Sequence, residues 1–427
     1  MKKTHIAKMA VVWLALVALP LPLIYLLDTQ MLDTPDHLIA YDLGIVAYVW
    51  WLATIYFSTR PRWLAQQIGL PSLYLLHGLL GVLALVAATF HKFIAFSMFP
   101  LIKDTGNIAW YLEIFMIVYA ILFLSGWLVD WVQWVRILKG ILERHVFKHQ
   151  VSIWLHRLNW LAVALIWLHV QLIARLNVPG FRLVFNAYTI LAILAYAVWK
   201  IRWSVAASAG VVVKNEAIDD QLQKVVIRLS TTQPAYQAGD FYFVSFRDKN
   251  NVSYEAHPFS VASAPRQNDN ELTLTIHRLG DFTRKVSQIP VGTAVKLAGP
   301  FGQFDQEVSA ANGPVILYGL GSGIAPLLSL ANQYAGQKKL HLIWSGPQVN
   351  DEYYQQQLAS LRKQGVQVDA QHHRFDETQL CDLISDAEVA EGQVIIVGSA
   401  NRVLKVRHTL RQRGFHKGQL SDERMTM

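Results

Sequence analysis

Residues 74–92 read YLLHGLLGVLALVAATFHK, an apolar stretch with a histidine near each end. The two histidines, His77 and His91, are 14 positions apart (91 − 77). In an α-helix this separation covers roughly 20 Å, about the distance between the two faces of a bilayer core. Because ionisable side chains inside a membrane span are costly and usually functional, the stretch predicts a membrane helix with one imidazole near each face.

A second apolar stretch, residues 152–174, carries His156 and His169, which are 13 positions apart (169 − 156). Pairing the two helices places His77 beside His156 at one level and His91 beside His169 at the other. Two facing imidazoles suit the axial positions of a six-coordinate haem, whereas the histidines of one helix are too far apart to share a zinc or copper ion. At about 100° per residue, 13 positions leave a mismatch of about 140°. This helix is therefore expected to be distorted, unless the two haems approach it from different sides.

Six segments of the first 200 residues are apolar enough to span a membrane: 9–28, 38–58, 71–91, 107–130, 152–174 and 182–200. Lys and Arg concentrate in the connections on the side that holds both chain ends, which predicts cytoplasmic termini. The first segment contains Leu19–Pro22, with two prolines, and no small-residue cleavage site follows it. It is therefore predicted to be a retained helix rather than a signal peptide.

Composition supports this division of the chain. Of 427 residues, 53% are hydrophobic and 16% are charged, and the excess of apolar residues lies in the first half. The net charge of +8 does not indicate nucleic-acid binding, because the basic residues bracket the apolar segments instead of forming one patch. The single cysteine, Cys381, excludes an intramolecular disulfide, a cysteine-based zinc site and an iron–sulfur cluster.

The second half changes to the short period of strands. Val211–Val213, Lys224–Leu229, Phe241–Val244 and Leu272–Ile276 predict a small antiparallel barrel. From about residue 314, strand and helix alternate, and the strand Val315–Tyr318 runs directly into a glycine-rich turn. Glycines at that place allow a pyrophosphate to approach backbone N–H groups at a helix N-terminus, which indicates a parallel-sheet nucleotide fold.

Three further motifs follow the first strands: HPFSVASAP at 257–265, RLGDFT at 278–283 and GPFG at 299–302. Together with the glycine run and the paired histidines, they resemble the NADPH oxidase and ferric reductase family in its bacterial form. The resemblance implies an all-α six-helix transmembrane haem bundle, an antiparallel β-barrel FAD domain and an α/β parallel-sheet NAD(P)H domain. The predicted boundaries of these three domains are 1–203, 204–308 and 309–427.

The resemblance also implies site residues, although no acid–base catalytic residue. Ligands of two b-type haems are expected at His77, His91, His156 and His169. FAD contacts are expected at His257, Pro258, Phe259, Ser260, Ser263, His277, Gly280, Asp281, Phe282 and Thr283, with the Ser260 hydroxyl near flavin N5. Nicotinamide-nucleotide contacts are expected at Gly319, Gly321, Ser322, Gly323, Ile324, Ala325, Pro326, Ser345 and Gly398.

Three positions depart from the family pattern. His277 stands where relatives carry an Arg or Lys for a flavin phosphate. The segment Trp344–Pro347 lacks the arginine that grips the 2′-phosphate of NADP, which leaves NADH and NADPH open and favours NADH. The chain ends without an aromatic residue, so the flavin face is either covered by Met425 or open.

The expected activity is transfer of electrons from cytoplasmic NADH or NADPH through FAD and two haems to an acceptor outside a bacterial inner membrane. Oxygen, reduced to superoxide, is the leading acceptor, because Lys92–Phe99 is apolar enough to cover the outer haem. Ferric chelates and a periplasmic redox partner protein are the alternatives. Apart from the lipid bilayer and these acceptors, no partner is predicted, and the oligomeric state stays open.

Overall fold

The computed structural model describes residues 2–31, 34–124, 155–205, 209–230, 235–247, 256–265 and 270–425. The chain divides into two compact units. One comprises residues 3–204 and is helical, and the other comprises residues 205–427 with the first two residues of the chain. We refer to them as the membrane unit and the dehydrogenase unit, after the roles that the sequence predicts for them.

The described helices of the membrane unit are α1 (Lys2–Ala18), α2 (Leu21–Asp28), α3 (Pro35–Ser58), α4 (Arg62–Ile68), α5 (Leu70–Ile94), α6 (Pro100–Tyr119, continued by a π-turn Ala120–Leu124), α7 (Asn159–Leu172) and α8 (Pro179–Val205). Within the described residues, five apolar helical stretches are long enough to cross a membrane: His5–Asp28, His37–Ser58, Leu70–Ile94, Pro100–Leu122 and Pro179–Trp203. They coincide with five of the six predicted spans. The remaining one corresponds to α7, which is shorter, and residues 125–154, at the predicted end of span four and start of span five, lie outside the described part.

The first predicted span is interrupted at Pro20, between α1 and α2. Proline has no N–H group, so the carbonyl of Leu16 loses its normal helical donor. The indole Nε1–H of Trp50 on α3 donates to that carbonyl at 3.0 Å, and the hydroxyl of Tyr188 on α8 donates to the Leu19 carbonyl at 3.1 Å. In a bilayer such freed carbonyls need a partner from the protein, and two neighbouring helices supply it.

Of the two possibilities that the histidine spacing left open, the structure contains a distortion, and it lies next to His156. The segment that leads into α7 is held by bonds of i→i+3 type: Leu158 N–H to Leu155 O at 2.9 Å, Trp160 N–H to Arg157 O at 3.1 Å and Leu161 N–H to Leu158 O at 2.9 Å. Such bonds belong to a 3₁₀ turn, which advances about 120° per residue instead of about 100°. The extra rotation brings His156 towards the face of α7 that carries His169.

The dehydrogenase unit begins with a six-stranded antiparallel sheet in the order β4–β3–β6–β1–β2–β5. Its strands are β1 (Gly210–Ala217), β2 (Leu222–Leu229), β3 (Phe241–Phe246), β4 (His257–Ser260), β5 (Glu271–His277) and β6 (Ala294–Phe301), with helix α9 (Asp281–Lys285) after β5. A bridge between Val261 and Leu274 connects the end of β4 to β5, the two outer strands of the sheet. Alternating apolar side chains such as Val225, Ile227, Leu272 and Leu274 fill its interior.

A five-stranded parallel sheet follows, in the order β11–β10–β7–β8–β9. Its strands are β7 (Val315–Leu320), β8 (Leu340–Ser345), β9 (Gln367–Gln371), β10 (Gln393–Ser399) and β11 (Leu420–Met425). The helices are α10 (Phe304–Ala310), α11 (Ile324–Tyr334), α12 (Glu352–Lys363), α13 (Glu377–Leu383), α14 (Asp386–Glu391) and α15 (Ala400–Arg413). The strand order reverses between β7 and β10, and ligands of such sheets bind at the carboxyl ends of the strands at this switch point.

Candidate cofactor sites

The structure brings the four membrane histidines together as two pairs. The rings of His77 and His156 have centroids 6.0 Å apart and an interplanar angle of 63°. The rings of His91 and His169 have centroids 6.3 Å apart and are perpendicular, at 90°. Both pairs join α5 to α7 or to the turn that precedes it, as the spacing of the histidines predicts.

Three of the four rings are oriented by backbone carbonyls. Nδ1 lies 3.0 Å from Thr54 O in His77, 2.6 Å from Ala40 O in His91 and 2.8 Å from Ile102 O in His169. Because a carbonyl only accepts, each Nδ1 carries the proton and each Nε2 keeps its lone pair free for a metal. In His156, Nδ1 is buried without a partner among the described residues.

Two helical glycines make room for the outer pair, defined here as His91 and His169. A Cβ atom on Gly44 of α3 would lie 3.1 Å from Nδ1 of His91, and one on Gly106 of α6 would lie 3.0 Å from Cε1 of His169. Both distances are tighter than ordinary packing, so a larger residue at either glycine would push on a ring. Sequence reasoning missed both glycines, because a lone glycine in an apolar helix gives no pattern.

The paired rings fit an iron porphyrin better than a free metal ion. Two metal–nitrogen bonds of about 2 Å, with the radii of two imidazole rings, place ring centroids roughly 6 Å apart. Among the described residues, no group of three or more His, Cys, Asp or Glu side chains is placed to hold a metal. A metal here would thus have two protein ligands, the number that a bis-imidazole haem uses.

In the dehydrogenase unit, the two predicted flavin motifs lie side by side. The ring of His257 on β4 stacks on Phe282 of α9 with centroids 3.9 Å apart, and Phe259 lies 6.2 Å from the same ring. Ser260 is half-buried at the end of β4, opposite Phe241 of β3. Pro258, Gly280 and Asp281 are exposed around this aromatic group. Together these residues form a partly open aromatic surface of the kind that a flavin ring needs.

Other predicted flavin residues have structural partners. The Ser263 hydroxyl lies 3.0 Å from the Tyr236 hydroxyl and accepts the Thr273 N–H at 3.0 Å. The Ser263 carbonyl accepts the Ser329 hydroxyl at 2.6 Å, which connects the antiparallel sheet to α11. The hydroxyl of Thr283 accepts the Gly280 N–H at 2.9 Å.

His277, at the end of β5, differs from the cation expected there. Burial lowers the pKa of His277, and the Asp219 carboxylate offsets only part of this shift. His277 is therefore largely neutral at neutral pH and gives a flavin phosphate no positive charge. The next residue, Arg278, donates to Gln223 Oε1 at 2.6 Å, while its Nε is buried without a partner in the described part of the chain.

The glycine-rich turn lies at the carboxyl end of β7. Gly321–Gly323 form a single 3₁₀ turn between β7 and α11, and Gly321 has a φ of 62°, which favours glycine. Gly323 and Gly398 serve packing, because a Cβ would lie 2.2 Å from Val397 O on the first and 2.6 Å from Leu320 Cβ on the second. The predicted contacts Ile324, Ala325 and Pro326 are buried in α11, and Ser345 is buried at the end of β8. Gly319 lies near the end of β7, and Ser322 is the middle residue of the turn.

Two side chains at this turn were not foreseen. The buried indole of Trp344 on β8 donates to the Gly321 carbonyl at 3.0 Å and thereby fixes the turn. Arg402, exposed in the first turn of α15, reaches over it, since its Nη1 would lie 3.7 Å from a Cβ on Gly321. No described residue forms an ion pair with Arg402. The Arg402 guanidinium thus lies above the turn. The residues after β8, Gly346 and Pro347, where the family carries its arginine, are uncharged.

Carboxyl groups of two strands meet near the flavin motifs. Asp240 precedes β3, and burial with the nearby Asp305 raises its pKa to about 7, although the Gln237 N–H lowers it. Glu423 lies on β11, and burial and Asp240 raise its pKa to about 7. Both are therefore partly protonated near neutral pH.

Met425 ends β11 opposite Ser399, and its side chain lies outside the described residues.

Comparisons with known proteins bear on the dehydrogenase unit. Residues 209–349 match the family described as an FAD-binding domain. Among solved structures, the chain is similar to the FAD/NAD-binding domain of a nitric oxide dioxygenase from Vibrio cholerae O1 biovar El Tor, at 17% identity over 51% of this chain and 97% of that one, with a TM-score of 0.43. It is also similar to a ferredoxin NADP⁺ reductase from Neisseria gonorrhoeae, at 17% identity over 51% and 98% of the two chains, with a TM-score of 0.44.

A further similar structure is the cytochrome P450 reductase GcoB of Amycolatopsis, at 19% identity over 51% of this chain and 69% of that one, with a TM-score of 0.44. No curated protein matches the chain. The matched family covers residues 209–349, a third of the sequence, in which β1 to β8 lie. The chain is therefore a flavoprotein, with an FAD-binding domain that leads into a parallel-sheet domain and with apolar helices before both.

Proposed function

We propose that this chain is a flavin-dependent NAD(P)H oxidoreductase that moves electrons across a membrane through two bis-histidine b-type haems. The observation that carries the proposal is the presence, in one chain, of two histidine pairs with centroids 6.0 and 6.3 Å apart and an FAD-binding domain. When bound, FAD would take up one hydride, which carries two electrons, and pass these electrons on singly, and haems with two imidazole ligands would carry single electrons.

The residues of the chain have positioning roles in this proposal. His77 with His156, and His91 with His169, would each hold one iron, with Nε2 as the ligand atom. The carbonyls of Thr54, Ala40 and Ile102 fix three of these rings. The His257–Phe282 stack lies where the flavin motifs meet, and the turn at Gly321 offers backbone amides to a dinucleotide phosphate.

For the orientation, the six apolar segments give six spans, and the distribution of Lys and Arg between them favours cytoplasmic termini. α7 belongs to the fifth of these spans in chain order, the predicted segment 152–174. In this arrangement the outer pair faces the extracytoplasmic side, where electrons leave for their acceptor.

Oxygen, giving superoxide, is the leading acceptor, and a ferric chelate is the second candidate. One observation favours the second. The apolar side chains expected to cover the outer haem are exposed in the isolated chain, with Phe96 85% and Phe99 70% accessible. Lys92, beside them, binds Asn107 and lies 4.4 Å from the centre of the Trp110 ring. A bulky chelate or a periplasmic protein could therefore approach this side as well as oxygen.

The acceptor is decided by comparing rates in proteoliposomes that contain the purified chain, with NADH or NADPH outside. Cytochrome c reduction that superoxide dismutase abolishes indicates oxygen as the acceptor. A ferric-chelate rate that is equal in air and under nitrogen excludes the oxidase function. A flavin-reduced protein that transfers no electron to any acceptor, and contains no haem, contradicts the proposal as a whole.

A further inference from the structure

A carboxylic acid is buried inside the membrane unit, and the proposed function does not use it. Glu113 lies within α6, a helix that is long and apolar enough to cross a membrane. It is 2% exposed, and its Oε1 has no hydrogen-bond partner among the described residues. An ionisable side chain in that environment is costly, so its retention points to a function.

The position of Glu113 along α6 is fixed by its neighbours. A Cβ atom on Gly106 of the same helix would lie 3.0 Å from Cε1 of His169, one member of the outer pair, so Gly106 marks the level of that pair on α6. Glu113 is seven residues further along, about two helical turns, so it points to the same side of α6 roughly 10 Å deeper. Ala109 and Met116 of that side are buried as well. The two histidine levels lie roughly 20 Å apart along α5, and Glu113 is therefore about midway between them.

The helices that pack against α6 carry no charge at this depth. Residues 78–90 of α5 and 158–168 of α7, which lie between the two histidine levels, contain no titratable side chain. The nearest titratable or charged groups on these helices are the four histidines, with Lys92 at one end and Arg157 at the other. On α6 itself the nearest along the chain is Tyr111, whose side chain is 62% exposed, and Tyr119 follows six residues after Glu113. In the described part of the chain, Glu113 therefore has no cation of its own to pair with.

A buried carboxyl without a cation is stable as an acid when its surroundings are neutral, and as an anion when they carry positive charge. A ferric porphyrin with two neutral imidazole ligands has one net positive charge in its core, and reduction removes it. The charge around Glu113 would therefore change with each electron. We propose that Glu113 is a redox-linked proton site, which binds one proton when an electron enters the layer between the histidine pairs and releases it when the electron leaves.

The inference rests on the proposed function, and its stoichiometry is simple. One electron, supplied by reduced flavin or by dithionite, enters the layer, and one proton from solvent forms an O–H bond on the Glu113 carboxylate. Oxidation breaks that bond and returns the proton. The net charge of the layer stays constant in both directions, which lowers the cost of moving charge through a medium of low dielectric constant.

The test is redox potentiometry of the purified full-length chain between about pH 6 and pH 8, with haem content measured in each sample. In the wild type, the midpoint potential of at least one haem is expected to fall as pH rises, by up to about 59 mV per tenfold change in proton activity for one electron. Glu113→Gln is expected to abolish this slope. Asp104→Asn, which removes an exposed carboxylate from the start of the same helix, is the matched control and should retain it.

An infrared difference spectrum, reduced minus oxidised, tests the wild type without any variant. A carbonyl band of a protonated carboxyl should appear on reduction, shift in deuterated water and be missing in Glu113→Gln. Equal pH slopes in the wild type and Glu113→Gln, with both haems present and no such band, would overturn the inference and leave the proposed function intact. A preparation without haem would overturn both.

Discussion

At the scale of single residues, the membrane unit depends on what surrounds each histidine as much as on the histidines. The Nδ1 hydrogen bonds to Thr54, Ala40 and Ile102 select the tautomer that leaves Nε2 free. Gly44 and Gly106 leave the space that the rings of His91 and His169 occupy. The two glycines therefore allow a test of the outer haem site that leaves all four histidines in place.

Gly44→Val and Gly106→Val should displace the rings of His91 and His169 and reduce the haem-to-flavin ratio from two towards one. Ala15→Val is the control, because it adds bulk to another apolar helix, α1, at an exposed position. The ratio is read from haem and flavin absorbance of purified protein. Equal haem loss in all three variants would show that bulk in the membrane helices, and not ring displacement, is responsible.

Arg402 permits a second test at this scale. A charge-assisted hydrogen bond from a guanidinium to a phosphate is worth about 1.5 to 3 kcal/mol. Because Arg402 lies over Gly321 and not beside β8, we expect it to contact the diphosphate that NADH and NADPH share. Arg402→Gln should raise KM for both nucleotides at least about tenfold and leave their ratio unchanged.

Arg411→Gln, an equal charge change farther along α15, serves as the control and should leave both KM values near the wild type. If Arg402→Gln raised KM for NADPH alone, Arg402 would bind the 2′-phosphate instead. It would then replace the arginine that is missing from the segment after Trp344.

At the scale of secondary-structure elements, two breaks in otherwise apolar helices have identifiable causes. The 3₁₀ turn before α7 is a distortion, one of the two possibilities that the sequence left open, because 13 residues of regular helix cannot bring His156 and His169 to one face. The hydrogen-bond donors at the Pro20 break were not predicted, since nothing in the local sequence shows that Trp50 and Tyr188 lie beside it. Patterns along the chain predict elements and their periods, whereas contacts between distant segments depend on packing.

The Pro20 break predicts a non-additive effect on stability. Trp50→Phe removes the donor to the Leu16 carbonyl and should destabilise the membrane unit by about 1 kcal/mol. With Pro20→Ala in the background, the N–H of residue 20 can serve the same carbonyl, so the cost of Trp50→Phe should nearly vanish. Thermal unfolding in detergent of the wild type, the two single variants and the double variant measures this coupling. Trp63→Phe, whose indole donates to the exposed Tyr56 hydroxyl, is the control, and strict additivity would contradict this explanation.

The parallel sheet contains a buried polar group that predicts pH dependence. His341 on β8 lies 2.8 Å from Glu388 and 2.8 Å from Asp369. Burial acts to raise the pKa of Glu388, but hydrogen bonds from Ser385 and His341 outweigh it, so its pKa lies below the ordinary 4.5. A carboxyl with a depressed pKa stabilises the fold above its unfolded pKa, and this contribution is lost as pH falls through the folded pKa.

Glu388→Gln should therefore lower the unfolding temperature at neutral pH and flatten its decline below about pH 4.5. Glu216→Gln breaks the exposed ion pair with Lys214 and should change neither. Thermal scans of the full chain at several pH values decide the matter. A decline as steep in Glu388→Gln as in the wild type would show that another group causes it.

At the scale of the whole molecule, sequence reasoning predicted the order of the helical, antiparallel and parallel parts and the pairing of the histidines better than the fine structure of the sites. The spacing of four histidines predicted the pairs, and the glycine run after Val315–Tyr318 predicted the strand–turn–helix that the structure contains. It did not predict that Gly323 and Gly398 pack strand ends together, or that Ser263 connects the two sheets. These roles depend on which strands become neighbours, information that local patterns do not contain.

The central claim is that one chain carries electrons from a nicotinamide, through a flavin, to two haems held by His77, His91, His156 and His169. Its most direct test is an anaerobic titration of the purified chain with NADH or NADPH, followed by absorption spectroscopy. The account predicts two low-spin haems per FAD, both reduced by the nucleotide without any added mediator. A chain whose flavin is reduced while no haem band appears or changes would contradict it.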